Sequence, residues 1–163
     1  MINSFRGQYS CFSNFHFAAQ KVGATTWSTN EHFFVANKTL IRDEQIAIHQ
    51  APTAAIAKAM GGPKGYMMPN GILFKITLRE NWKDIEIGVM RVGVAAKFDQ
   101  NPDCHRILMA THPVHLCEGN RWHDNVWGDC SCARCSNTPG LNFLGRLLME
   151  YRLRVTQEFL RPL

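Results

Sequence analysis

The sequence predicts a helix-rich α+β fold in which one compact domain spans residues 1–163 and contains a few short strands. Three observations predict this class. Apolar residues recur at helical spacing in several segments. An Asn-Gly pair lies between two apolar runs, as in a β-hairpin. The length of 163 residues suits one core, and no internal repeat, low-complexity tract or long linker divides the chain.

The first helix is predicted from Ser28 to about Lys38. Ser28 and Glu31 have the Ser-x-x-Glu spacing of a capping box, and an apolar run follows directly. Elsewhere, proline in a first turn and glycine after a last turn mark the helix ends. Further helices are predicted at residues 43–51, 52–60, 82–98 and 101–111, and from residue 141 onward.

The strands are predicted to be short. Residues 5–27 are aromatic pieces broken by turn residues, which indicates loops with one or two strands. Asn70-Gly71 between apolar runs predicts a small hairpin, and residues 114–118 alternate weakly, as in a short strand. Residues 119–140 form a long irregular loop, and such loops in compact domains are usually functional or held by a metal.

Composition and charge restrict the class of partner. The formal net charge of +5 and the sequence pI of about 9.0 favour anionic partners, although no block of consecutive Lys or Arg forms a nucleic-acid-binding arm. No run of eighteen apolar residues predicts a membrane span, and the N-terminus has no apolar signal segment. We therefore expect a cytoplasmic location and no membrane partner.

Three of the six cysteines fall within one short loop. Cys130, Cys132 and Cys135 supply three thiols, and His123, Cys117 or Cys104 can complete a tetrahedral structural zinc site. Free thiols on a loop are the alternative, because a second well-spaced Cys pair is missing. A site filled by thiolates has no open position, so such a metal is not expected to be the catalyst.

An ordered set of anchors runs through nearly the whole chain and resembles the NADAR family. The N-terminal anchors are Phe5, Gly7, Tyr9, Ser13, Asn14 and Phe15, followed by Trp27, Thr29, Glu31, His32, Phe34 and Lys38. The later anchors are Asn81, Trp82, Met90, Ala96, Lys97, Phe98, Leu108, Thr111, Leu116, Glu118, Asp124, Trp127, Gly128, Asn142, Leu144, Gly145, Leu147, Leu148, Met149 and Arg152. Residues 61–78 are longer than the corresponding family segment, and the cysteine loop replaces a glycine-rich one.

The resemblance implies an N-glycosidase that hydrolyses the bond between a phosphorylated ribose and an amine or base. The implied substrates are phosphoribosylamino-pyrimidine intermediates of riboflavin synthesis or ADP-ribosylated nucleobases and nucleotides, with nucleic acid possible as a modified substrate. No cofactor is implied for catalysis. Two alternatives remain open: a non-catalytic module that binds ADP-ribose or a nucleotide, and a zinc-stapled nucleic-acid-binding domain.

The resemblance makes Glu31 the first candidate catalytic residue and Asp124 the second. Cleavage of an N-glycosidic bond develops positive charge on the ribose, so a carboxylate is needed to stabilise the cation and activate water. From local sequence alone, Glu31 is a helix-capping residue and Asp124 a turn residue. Lys38 follows Glu31 at i+7, on the same helix face, where it can pair with that region or bind a phosphate.

Six further residues are candidate substrate contacts. Trp82 and Trp127 can stack on a planar base, although a core position is the simpler interpretation of both. The others have side chains suited to phosphate or ribose, with ordinary turn chemistry as the alternative for those in the N-terminal loop. These are Arg6, Ser13, Asn14 and Asn142.

Overall fold

Strands β1 (Phe17–Val22) and β2 (Thr25–Thr29) form an antiparallel hairpin in the computed structural model, which describes residues 1–135 and 137–160. Gly23, with φ +62°, supplies the left-handed conformation of the turn. The register shifts between Phe17 and Gln20, which locally bends β1. β2 continues directly into the first α-helix.

Helix α1 (Asn30–Ala36) is buried along its whole length. It packs against β2 and against α2 (Arg42–His49), α3 (Ala54–Met60) and α4 (Trp82–Gln100). A helix enclosed on all sides must be apolar nearly all round, which explains the apolar run at residues 33–36. The polar residues of its first turn therefore need buried partners.

The predicted hairpin at Asn70-Gly71 is present. β3 (Tyr66–Met67) pairs antiparallel with β4 (Leu73–Phe74). Gly71 has φ +80°, and the side-chain oxygen of Asn70 accepts the N–H of Ile72 at 3.1 Å. This is the turn chemistry on which the prediction depended.

The remaining elements are a 3-10 helix (Gly7–Phe12), α5 (Pro102–Met109), β5 (Gly119–Asn120), β6 (Asp129–Cys130) and α6 (Phe143–Phe159). The 3-10 helix and α6 both pack on α5, and β5 and β6 pair in parallel. The chain divides into two compact units. We call Asn14–Gln100 the central unit, and Met1–Ser13 with Asn101–Leu163 the split unit.

The helix-rich α+β class is confirmed. The predicted strand at residues 114–118 is wrong, because that segment forms only a single bridge, between Ile2 and Leu116. α1 is also shorter than predicted and ends at Ala36. Across residues 1–135 and 137–160, none of the helices combines the length and apolar character needed to cross a membrane. The extent of one domain over residues 1–163 stays a prediction.

Candidate active site

Glu31 lies in the first turn of α1, where only 7% of its surface is exposed. The cap of this helix is Thr29, whose side-chain oxygen accepts the N–H of His32 at 3.3 Å. The predicted capping box of Ser28 and Glu31 is therefore wrong, because His32 occupies the third position after the cap. The N–H of Glu31 donates to the carbonyl oxygen of Asn14 at 3.0 Å, which fixes the backbone of this turn.

Lys38 is partly buried just beyond the C-terminal end of α1. Its Nζ donates to the carbonyl oxygen of Gly61 at 3.3 Å and lies 5.6 Å from the ring centroid of Phe34. Burial lowers the pKa of Lys38, while the negative charges of Glu31 and then Glu86 act to raise it. The Lys38 ammonium is thus electrostatically coupled to the carboxylate predicted to be catalytic.

Two more lysines contribute to the same field. The charges of Lys58 and Lys83 act to lower the pKa of Lys38. Lys58 Nζ lies 5.5 Å from the ring centroid of Phe15, and Lys83 Nζ is 3.2 Å from an oxygen of Glu86. The three ammonium groups in this field outnumber the two carboxylates, and this excess of positive charge favours an anionic ligand.

Trp82 begins α4, and only 4% of its surface is exposed. Its ring centroid is 5.0 Å from that of Phe34, at an interplanar angle of 63°. This edge contact gives Trp82 a packing role against Phe34, whose ring also lies near the Lys38 ammonium. We refer to Glu31, Phe34, Lys38, Trp82 and Glu86 as the Glu31–Lys38 cluster.

A cavity of about 680 Å³ lies in the split unit. It brings together two predicted substrate contacts, Arg6 and Asn142, and adds two arginines that the sequence did not indicate, Arg121 and Arg146. Three guanidinium groups around one cavity are suited to a phosphate or a carboxylate, because both accept paired N–H donors. The other lining residues are Met1, Asn3, Ser4, His115, Cys117, Gly119, Asn120, Trp122, Asp129, Ser131, Gly140 and Leu141.

Asn142 supports the wall of this cavity through its side chain. It precedes α6 in a left-handed conformation, with φ +50°. Its Oδ1 accepts the N–H of Glu118 at 3.0 Å, and its Nδ2 donates to the carbonyl oxygen of Leu116 at 2.9 Å. The amide therefore connects the start of α6 to residues 116–118.

Asp124 lies in a turn that its own side chain stabilises. Its Oδ1 accepts the N–H groups of Val126 at 3.1 Å and Trp127 at 2.9 Å. The Trp127 ring packs 6.2 Å from that of Phe143.

Ser13 lies at the end of the 3-10 helix, in the N-terminal part of the same unit. Its N–H donates to the carbonyl oxygen of Ser10 at 3.1 Å.

His123, Cys130, Cys132 and Cys135 form a group that can hold a metal ion. One ligand atom from each residue lies within 4.8 Å of the others. Of the candidate fourth ligands, the structure therefore selects His123; Cys104 and Cys117 are buried thiols that do not belong to this group.

The sequence profile of the NADAR domain matches residues 3–156. The chain belongs to the NADAR family. N-glycosidase YbiA from Shigella flexneri serotype 5b (strain 8401) is 35% identical over 150 residues, which cover 92% of this chain and 84% of that protein. The NMR structure of the Escherichia coli protein YbiA has a TM-score of 0.78 and 32% identity, covering all of this chain and 91% of that one.

A longer relative, the chloroplastic riboflavin biosynthesis protein PYRR from Zea mays, is 30% identical over 138 residues, which cover 80% of this chain and 20% of that protein. The YbiA relatives support the class of activity at a similarity that extends over most of both chains. This NADAR chain is a hydrolase that acts on N-glycosyl bonds.

Four residues of this NADAR chain were not predicted from its sequence: Glu86, Lys58 and the two additional cavity arginines. Glu86 follows Trp82 by one helical turn, so its spacing was an available signal. Arg121 and Arg146 had none, because one lies in an irregular segment and the other on a separate helix. Only tertiary folding brings them to one cavity.

Proposed function

We propose that the chain hydrolyses the N-glycosidic bond of a phosphorylated ribosyl compound and that Glu31 is the catalytic carboxylate. The observation that carries this proposal is the coupling of a nearly buried Glu31 to Lys38, a lysine whose charge is itself disfavoured by burial. Burial of two charged groups costs free energy on folding. Charged groups in such environments concentrate at functional sites.

The chemistry requires few parts. The bond from the ribose C1′ to nitrogen breaks, and its electron pair leaves with the nitrogen. The ring carries the resulting positive charge, which a carboxylate at the position of Glu31 stabilises. Water then adds its oxygen to C1′ and one of its protons passes to the carboxylate. The carboxylate gives that proton to the leaving nitrogen and returns to its ionised form. The chain's own side chains suffice for these steps, so we propose that no cofactor takes part in them.

The distribution of cationic side chains supports a phosphorylated substrate. In the central unit, the ammonium groups of Lys38, Lys58 and Lys83 lie in one electrostatic environment. In the split unit, Arg6, Arg121 and Arg146 line one cavity. Phosphate groups bind well to guanidinium groups in particular, because these present paired N–H donors.

The remaining predicted residues have more limited support. Asn14 accepts the N–H of Glu31, and Trp82 packs against Phe34. Asp124 accepts an N–H within its own turn, and Asn142 binds residue 118 at the cavity wall. Asp124 as second carboxylate, and Ser13 and Trp127 as substrate contacts, stay predictions. The cytoplasmic location also stays a prediction.

The first substrate to test is a phosphoribosylamino-pyrimidine, because the maize relative is named for riboflavin biosynthesis. The purified chain is incubated with this compound and, separately, with ADP-ribosyl-guanosine, and release of the free sugar phosphate is measured. Release from the pyrimidine compound is the expected result. Release from ADP-ribosyl-guanosine alone would change the proposed substrate class from phosphoribosylamino-pyrimidines to ADP-ribosylated compounds. Release from neither, together with tight ADP-ribose binding, would instead identify a binding module.

The role of Glu31 is tested by Glu31→Gln, which preserves size and removes the charge. We expect turnover to fall by about 10²–10⁴-fold, the range typical of a lost acid-base group. The matched control is Glu80→Gln, an exposed carboxylate of the same unit that lies outside the cluster, and it should retain full activity. Turnover by Glu31→Gln equal to that of the control would overturn the assignment.

A further inference from the structure

Four side chains between β5 and α6 have metal-binding atoms that face a common point. They are His123, Cys130, Cys132 and Cys135, in the spacing His-x6-Cys-x-Cys-x2-Cys. The thiol sulfurs and the imidazole nitrogen are all within 4.8 Å of one another. No part of the proposed hydrolysis uses these residues.

The two distances from the His123 ring nitrogen are close to those of a tetrahedral site. A zinc ion bound to sulfur at about 2.3 Å and to nitrogen at about 2.0 Å separates its ligand atoms by roughly 3.5–3.8 Å. His123 Nδ1 lies 3.1 Å from Cys132 Sγ and 3.5 Å from Cys135 Sγ. Adjustments of a few tenths of an ångström therefore bring these pairs to the coordination distance.

The backbone presents the ligands in an arrangement suited to thiolates. The N–H of His123 points to Cys130 Sγ at 3.3 Å, and an N–H donor stabilises a negatively charged sulfur. Cys135 N–H donates to the carbonyl oxygen of Cys132 at 2.9 Å, which closes the Cys-x-x-Cys turn. Cys130 is held by pairing of β6 with β5 and by a bond from its N–H to Asn125 Oδ1 at 2.8 Å.

His123 supplies an independent observation. Its φ of +68° is a left-handed conformation that non-glycine residues adopt rarely, because it has a steric cost. The residue is exposed, so burial of its ring does not explain the conformation. A bond from the ring nitrogen to a metal would offset this cost.

We propose that His123, Cys130, Cys132 and Cys135 bind one structural zinc ion. Three thiolates and one imidazole in a tetrahedral arrangement are the donor set that zinc prefers. All four positions are filled by protein atoms, so the ion has no open site for water or substrate. Its role is to hold the segment that runs from the Asp124 turn to the start of α6.

The test is metal analysis of the full chain, purified without added zinc and without chelator. We expect about one zinc per chain by inductively coupled plasma mass spectrometry. Cys132→Ala and Cys135→Ala should each reduce the zinc content by at least about tenfold. The matched control is Cys104→Ala, a buried thiol on α5 outside the group, which should keep the full amount. Zinc content that is unaffected by the two loop substitutions would overturn the proposal.

A second measurement needs no variant and therefore does not depend on whether a variant folds. The wild-type chain is freed of metal under reducing conditions and titrated with Co²⁺. A tetrahedral site with three thiolates gives intense d–d absorption in the visible region and sulfur-to-metal charge transfer in the near ultraviolet. Both should saturate at about one equivalent and disappear when Zn²⁺ is added. Only the weak absorption of octahedral cobalt would rule the site out.

Discussion

The N–H of Glu31 donates to the carbonyl oxygen of Asn14, while Asn14 Oδ1 accepts the side-chain N–H of Asn30 at 2.8 Å. Asn14 therefore binds two consecutive residues in the first turn of α1, one through its backbone and one through its side chain. Asn30 is completely buried, so its amide depends on such partners. The position of the candidate catalytic carboxylate is set in part by a residue 17 positions earlier in the chain.

We expect Asn14→Ala to lower the free energy of unfolding by about 1–3 kcal/mol, because it leaves a buried donor of Asn30 with one acceptor fewer. Asn14→Asp retains an oxygen at the Oδ1 position and should lose less. Chemical denaturation of both variants measures the difference. Equal stability of wild type and Asn14→Ala would contradict this account of the first turn.

The close approach of α1 and α4 depends on Gly93. A Cβ at this position would overlap Asn30 Oδ1 and lie 2.8 Å from Phe33 Cδ1. Gly93→Ala is therefore expected to destabilise the protein by about 1–3 kcal/mol through overpacking. Gly88→Ala on the same helix is the control, because nothing lies within 4 Å of its added Cβ. The control should gain about 0.5–1 kcal/mol from higher helix propensity, as measured by thermal melting.

Lys38→Met should stabilise the fold while it impairs turnover. Burial lowers the pKa of Lys38, so the folded state disfavours its charge at neutral pH. Removal of that charge is expected to add about 0.5–1 kcal/mol, equivalent to an increase in Tm of about 1–4 °C. A decrease in Tm at neutral pH would show that the bonds of the ammonium group outweigh its burial.

The pH dependence of this effect has a defined sign. The unfolded chain holds the Lys38 proton up to a pKa of about 10.4, whereas the folded chain releases it at lower pH. Wild-type stability therefore rises with pH between those two values. The advantage of Lys38→Met should be greatest below the folded pKa and should shrink as the pH approaches 10, which a series of melting curves can measure.

Glu44 connects α2 to the segment after the β3–β4 hairpin. Its carboxylate accepts the N–H of Thr77 at 2.9 Å, the Thr77 hydroxyl at 3.0 Å and the hydroxyl of Thr39. Burial acts to raise the pKa of Glu44, but the hydrogen bonds from Thr39 and Thr77 exceed that effect and lower it.

A lowered carboxyl pKa contributes stability that is present above the unfolded pKa and is lost as the pH falls through the folded pKa. The stability difference between wild type and Glu44→Gln should therefore be largest near neutrality and approach zero in acid. Hydrogen exchange at residues 73–78 should increase in the variant at neutral pH. A difference that grows in acid would contradict the assigned pKa direction.

Asp124→Asn separates the two roles considered for this residue. The amide retains Oδ1, so the bonds from the N–H groups of Val126 and Trp127 can persist and Tm should change by less than about 2 °C. If the carboxylate takes part in catalysis, turnover should fall by about 10²-fold or more. Unchanged turnover at unchanged Tm would show that Asp124 stabilises its turn and takes no part in catalysis. Asp124→Ala, which removes the turn bonds, is the comparison for stability.

Local sequence determined the turns and helix starts that depend on the backbone preferences of individual residues. The hairpin at Asn70-Gly71 and the start of α5 at Pro102 follow from backbone preferences of those residues, and both are present. The chain-wide order of anchors indicated the family, and the domain profile over residues 3–156 confirms it. The predicted capping box was wrong because Ser28 and Thr29 can both cap a helix, and Thr29 is the cap here. The choice between them depends on where β2 ends.

Tertiary structure decided which charged groups act on Lys38 and which residue completes the cysteine group. Glu86 and Lys58 reach the surroundings of Lys38 from α4 and α3, elements separated from it by more than a dozen residues. His123 was one of three candidate ligands until the backbone placed its ring near the three thiols. Sequence spacing predicts contacts within one helix or turn, because geometry there repeats. Contacts between elements depend on how buried surfaces pack, and spacing along the chain does not contain that information.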